Sequence, residues 1–150
     1  MISVRRATND DLTAVLTLFL GYLRFYSRDH SSEAARQFLK ERLITGEGLI
    51  YLALAGGKPV GMAQVYPTFS SLSLARAWVL NDLFVDPGAR SSGVGRALLR
   101  AITADATNAG AVYVALETAQ ENFRAQGLYE AEGFVAETGS RHYSLRTSLS

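Results

Sequence analysis

Residues Val79–Ala104 read VLNDLFVDPGARSSGVGRALLRAITA, and this stretch decides the fold. Val79 to Val85 is an apolar, β-favouring run closed by the turn signal Asp86-Pro87-Gly88, so it predicts a strand. Val94, Ala97, Leu98, Ala101 and Ile102 fall on one face at a period of 3.6 residues, which predicts a helix directly after it. Between the two lies Arg90-Ser91-Ser92-Gly93-Val94-Gly95. Its glycines allow close approach of a ligand to the backbone, and the first turn of the helix offers N–H groups with no intrahelical partner. Such a turn is an anion site. Arg90 and Arg96 sit where the helix dipole disfavours cations, a penalty that a bound polyanion would reverse.

Two common phosphate loops do not fit. A Walker loop ends in Gly-Lys-Ser/Thr, whereas Gly95 is followed by Arg96 and Ala97. A dinucleotide fingerprint needs three glycines early in a βαβ unit and an acidic residue about 20 positions on. The glycines here are too few and come after the middle of the chain.

Composition narrows the classes further. The 150 residues are 48% hydrophobic, enough for one domain, 1–150, with a substantial core. No apolar stretch reaches membrane-spanning length, and Met1 to Arg6 lacks the order of a signal peptide, so the expectation is a soluble, cytoplasmic protein. There is no cysteine, which excludes disulfides and a cysteine acyl-enzyme. The formal net charge is +1 without long like-charge runs, so nothing points to nucleic acid. With two histidines and no paired-histidine spacing, no metal site is expected.

Along the chain, strands are expected at Ile2–Arg6, Leu49–Ala55, Val60–Tyr66 with Pro67 as its stop, Leu74–Val85 and Val112–Thr118. Phe134–Glu137 and Arg141–Leu145 are expected to form a closing hairpin, giving about seven strands. Four helices are expected, beginning after Thr8, near Ser31 or Ser32, at Val94 and at Gln120. The strand, helix and strand around Val94 imply a right-handed crossover with parallel strands.

Arg90-Ser91-Ser92-Gly93-Val94-Gly95 resembles the R/Q-x-x-G-x-G/A segment of the GNAT superfamily of acetyl-coenzyme A dependent N-acetyltransferases. Downstream, Asn122 to Phe134 is similar to the family's N-x-x-A-x-x-L-Y-x-x-x-G-F segment. The resemblance spans most of the chain. It implies an α/β fold with a mixed sheet whose strands splay at the acetyl-CoA site. It also implies acetyl-CoA as co-substrate, with the pyrophosphate on the backbone of Arg90 to Arg96 and the thioester and pantetheine along Leu83, Phe84 and Val85. Asn122 is implied at the pantetheine arm and Tyr129 as the proton donor to the departing thiolate.

The acceptor side is less defined. Asp82 and Glu117, close to the end of the glycine-motif strand, or an ordered water chain, are the candidate bases, and Tyr22 and Tyr26 at i and i+4 can line an acceptor pocket. Polyamine-acetylating relatives often carry glutamate where Asn81 stands, and asparagine cannot act as a base. The softer likeness of Tyr66 to Ser71 and Trp78 to Val85 is to histone and polyamine acetyltransferases, suggesting a primary amine acceptor: a polyamine, an amino acid or a lysine side chain. A homodimer is compatible with the resemblance. The alternative is an acyl-CoA-binding sensor domain without turnover.

Overall fold

In a computed structural model, which describes residues 1–148, five strands form one mixed sheet in the order β1-β2-β3-β4-β5. The strands are β1 (Ile2–Arg6), β2 (Leu49–Ala55), β3 (Lys58–Ser70), β4 (Ala75–Val85) and β5 (Ala111–Ala115). The first four run antiparallel to their neighbours, and β5 runs parallel to β4. Helices α1 (Leu12–Phe25) and α2 (Ser32–Thr45) cover one face, and α3 (Val94–Asn108) covers the other. A fourth helix, α4 (Phe123–Ala131), packs beside α3.

Each face has its own core. On the α3 face, Val94, Leu98, Leu99 and Ile102 bury against Ala63, Val65, Trp78 and Leu80. Full burial of each large aliphatic contributes about 1.5–3 kcal/mol, so this helix is held firmly to the sheet. On the other face, Leu12, Val15, Phe19 and Leu39 pack on Ile50, Leu52, Met62 and Phe84. Ser31 caps α2 by accepting from the Ala34 N–H at 3.0 Å, and Gly46 ends it in the left-handed region.

Three expectations need correction. Pro67 does not stop β3, which continues to Ser70 in register with β4. Beyond Val65, β3 has passed the end of β2 and is an edge strand, where a missing N–H is tolerated. The crossover strand is shorter than expected, ending at Ala115. Among the described residues there is no closing hairpin, so the sheet has five strands and not seven. In Phe134–Glu137 and Arg141–Leu145 the apolar side chains are mostly not buried: Val135, Tyr143 and Leu145 are exposed. A short hairpin without a buried face is marginal. Phe134 is anchored by its N–H, which donates to Tyr129 O at 2.9 Å, and it packs against the α3-side core.

Candidate active site

The feature that opens the site is the divergence of β4 and β5. Their pairing ends at Val79 opposite Ala115, leaving Leu80–Val85 with β3 on one side only. The Asp86 N–H donates to Val60 O, in line with the pairs Phe84–Met62 and Asp82–Gln64. Because an antiparallel ladder alternates, the N–H and C=O groups of Leu83 and Val85 point away from β3 into the gap. The amide of Phe84, expected among the contacts, turns toward β3, and its ring packs under α1.

The gap leads to the N-terminus of α3. Gly93 takes the left-handed conformation at φ 87°, as does Ser91 at φ 67°. The first intrahelical bond is Ala97 N–H to Gly93 O at 3.0 Å, so the N–H groups of Val94, Gly95 and Arg96 precede it. A Cβ on Gly95 would lie 3.0 Å from Leu128 Cδ2, so glycine lets α4 close on this turn. The side chains stand aside. Arg96 and Arg100 pair with Glu132 at 3.0 and 2.8 Å, Ser92 donates to Ala89 O, Arg124 donates to Ser91 Oγ, and Arg90 Nε donates to Val85 O at 3.3 Å. Asn122 caps α4, accepting from the Ala125 N–H at 3.3 Å. These residues fit a diphosphate tail: main-chain donors at a helix N-terminus, with a gap along β4 to receive the rest.

On the α1 face of β4 lies a buried polar cluster. A register shift between Gln64 and Val65 leaves Asn81 as an extra residue in β4. Trp78 and Leu80 face α3, and strict alternation would put Asp82 beside them. The extra residue instead turns Asp82 and Phe84 toward α1. Asp82 is 7% exposed. Burial raises its pKa above the usual carboxylate value, and hydrogen bonds from Tyr22 and Asn81 oppose that only partly. Asn81 Nδ2 donates to Asp82 Oδ1 at 3.1 Å.

Tyrosines surround this carboxyl. Burial raises the pKa of Tyr22 far above its ordinary value, with Asp82 adding to the effect. The Tyr22 and Tyr26 rings meet edge-on at 5.0 Å. Tyr129 is also raised, first by burial and then by Tyr26. All three phenols are therefore in electrostatic reach of one another, and Tyr22 links them to Asp82. Glu117 is not brought into this group. It is 79% exposed and pairs with His142 at 3.4 Å.

Two further residues were not anticipated. Gln64 is fully buried opposite Asp82, bonded through Nε2 to the Tyr66 hydroxyl, and its Oε1 has no partner among the described residues. Burial and then Asp82 raise the pKa of Tyr66. A lone glutamine inside the apolar run Val60–Val65 was the available signal.

The arrangement joins a backbone anion site, an open strand edge and a buried carboxyl among phenols, which is the equipment for acyl transfer from a thioester with a diphosphate handle. Comparison with known proteins agrees. Residues 13–134 match the Acetyltransferase (GNAT) family. A Bacillus subtilis (strain 168) protein described as an uncharacterized N-acetyltransferase, YhfO, is 41% identical over 96% of this chain and 97% of its own length. An aminoglycoside N(6')-acetyltransferase type 1 of Stenotrophomonas maltophilia is 30% identical over 88% of this chain and 85% of its own. The crystal structure of a probable acetyltransferase superposes with a TM-score of 0.92 at 38% identity, covering 97% of this chain and 98% of that one. The chain belongs to the GNAT acetyltransferase family and is an acetyl-CoA-dependent N-acetyltransferase.

Proposed function

We propose that the protein transfers acetyl from acetyl-CoA to the primary amine of a small molecule by direct attack in a ternary complex, with Asp82 receiving the amine's proton. The observation that carries this reading is the buried Asp82 carboxyl, held by Tyr22 beside the open edge of β4. An amine with a pKa near 10.4 is neutral only about once in 2,500 molecules at pH 7, a cost of roughly 4.6 kcal/mol. A carboxylate whose pKa is raised toward neutrality is a better acceptor for that proton than an exposed one. Glu117, tied to His142 on the surface, is not assigned this role.

In this reading the acetyl-CoA pyrophosphate rests on the N–H groups of Val94, Gly95 and Arg96, and the pantetheine runs along the main-chain N–H groups of Leu83 and Val85. The coenzyme supplies the activated thioester. Tyr129 stays protonated at neutral pH and donates a hydrogen bond toward the sulfur. Since its pKa is raised above that of an ordinary phenol, full proton transfer to a thiolate near 8.5 is uphill by at least about 2 kcal/mol. Its role is therefore hydrogen-bond stabilisation as the C–S bond breaks. Tyr22, Tyr26 and Asn81 border the acceptor.

The relative named for aminoglycosides supports an amine-bearing small molecule. Coenzyme A release measured against polyamines, aminoglycosides, amino acids and lysine peptides tests the reading. Turnover with at least one small amine is expected. Tight coenzyme binding with no turnover across the panel would favour a sensor instead.

A further inference from the structure

Gln64 and Asp82 stand directly opposite each other on β3 and β4, both buried. Side chains paired in this way lie on one face of the sheet with Cβ atoms roughly 4.5–5.5 Å apart. The amide is oriented by its other neighbour, because Gln64 Nε2 donates to the Tyr66 hydroxyl oxygen, two residues on and on the same face. Tyr66 is itself held in place. Its ring packs against the backbone at Gly48, where a Cβ would meet it at 3.0 Å. Oε1, the other end of the amide, finds no donor among the described residues. A fully buried acceptor without a donor is costly, so it points to a group that supplies one.

We propose that Gln64 is a positioning residue for the proton-bearing form of Asp82: once the carboxyl has taken the amine's proton, its O–H donates to Gln64 Oε1. The inference rests on the reading of Asp82 as the base. In the transfer the N–H electron pair stays on nitrogen, the proton forms the O–H of a neutral carboxyl, and the buried acceptor gains its missing donor. Before the transfer Oε1 faces a carboxylate, and the repulsion between these oxygens disfavours the charged form. Asn81 and Tyr22 pull the other way, since each bonds to that charged form. The titratable and charged groups around the pair are Tyr22 and Tyr26 from α1, Tyr129 from α4, Tyr66 from β3 and, beyond Tyr66, Arg42 from α2. Burial keeps Tyr22, Tyr66 and Tyr129 protonated, and Arg42 is paired with Glu41 and Glu47 at 3.3 and 3.7 Å. The balance at Asp82 therefore falls to Asn81 and Tyr22 on one side, and to burial and Gln64 on the other.

Carbon-13 NMR of the aspartate carboxyls, with Asp82 assigned by its absence in Asp82→Asn, reads this titration without any acceptor or coenzyme. Gln64→Met keeps about the same side-chain length and removes the acceptor, so it should lower the Asp82 midpoint by about one pH unit, a tenfold loss of proton affinity. Tyr66→Phe removes only a hydroxyl. It frees the amide to turn Nε2 toward the carboxylate, so the midpoint should fall there as well, and this variant decides the matter if Gln64→Met does not fold. The acid limb of kcat should move down with the midpoint while KM for acetyl-CoA stays unchanged. A midpoint that stays put or rises, with Asp82→Asn inactive, would overturn the part given to Gln64 alone and leave a bound water as the partner of Oε1. A midpoint that falls while Asp82→Asn keeps its turnover would remove Asp82 as the base, and with it the role of Gln64 in the reaction.

Discussion

The two faces of β4 are built on different principles. Toward α3 the sheet is closed by aliphatic packing around Val94, Leu98 and Ile102, and the polar work is left to main-chain groups at Leu83, Val85 and the turn before Gly95. Toward α1 the sheet buries side-chain polar groups, Asp82 and Gln64, among tyrosines. A backbone site binds what every donor coenzyme has in common. A side-chain site is specific, and it carries an energetic cost, because a buried carboxyl is stable only while its charge is compensated or removed. On the proposed function, the difference teaches that cofactor recognition is a property of the fold, while proton transfer falls to a few residues that one bulge has rotated into place.

Asp82→Asn cuts deepest into that contrast. Losing the proton acceptor should lower kcat by about 10³-fold with coenzyme affinity unchanged, as read by steady-state rates and calorimetry. A kcat within a few-fold of normal would move the base elsewhere. The same variant carries a stability test. Burial raises the folded-state pKa of Asp82, so between the ordinary carboxylate range and that raised value the folded protein retains a proton that the unfolded chain has lost. Stability then falls as pH rises through this window. Asparagine removes the effect, so the variant should gain on the parent protein in denaturant midpoint as pH rises, and the gap should close on acidification.

Tyr129→Phe should act next, lowering kcat by about 10²-fold at unchanged coenzyme affinity under conditions where chemistry limits the rate. Its burial beside Tyr26 places it with the acceptor-side phenols although it comes from α4, so this variant asks whether the two faces meet at the sulfur. Gly95→Val touches the backbone face only. Its Cβ would crowd Leu128 at 3.0 Å, and the variant should weaken coenzyme binding by about tenfold while leaving kcat at saturation nearly intact. A drop confined to kcat would blur the division drawn above.

The backbone face was the more legible in sequence, for a physical reason. Glycine spacing, a turn signal and helical periodicity are local, and they define a strand, a turn and a helix N-terminus without knowledge of distant residues. The side-chain face is not local. Nothing in residues 79–85 reveals that Asn81 is the extra residue of a bulge, and period-two reading would place Asp82 with Trp78 and Leu80 in the α3 core. Glu117 and Asp82 look alike as acids at the ends of neighbouring strands. Only the divergence of β5 and the course of the C-terminal segment separate them, one buried beside Tyr22 and the other exposed against His142. Among the described residues the closing hairpin is absent because burial decides pairing, and Val135, Tyr143 and Leu145 stay exposed.

The most direct measurement is a crystal structure of the complex with coenzyme A. The pyrophosphate should lie on the N–H groups of Val94, Gly95 and Arg96, with the pantetheine amides bonded to Leu83 and Val85 and the sulfur between Tyr129 and Asp82. A complex with that turn empty and the coenzyme bound elsewhere would contradict the central claim.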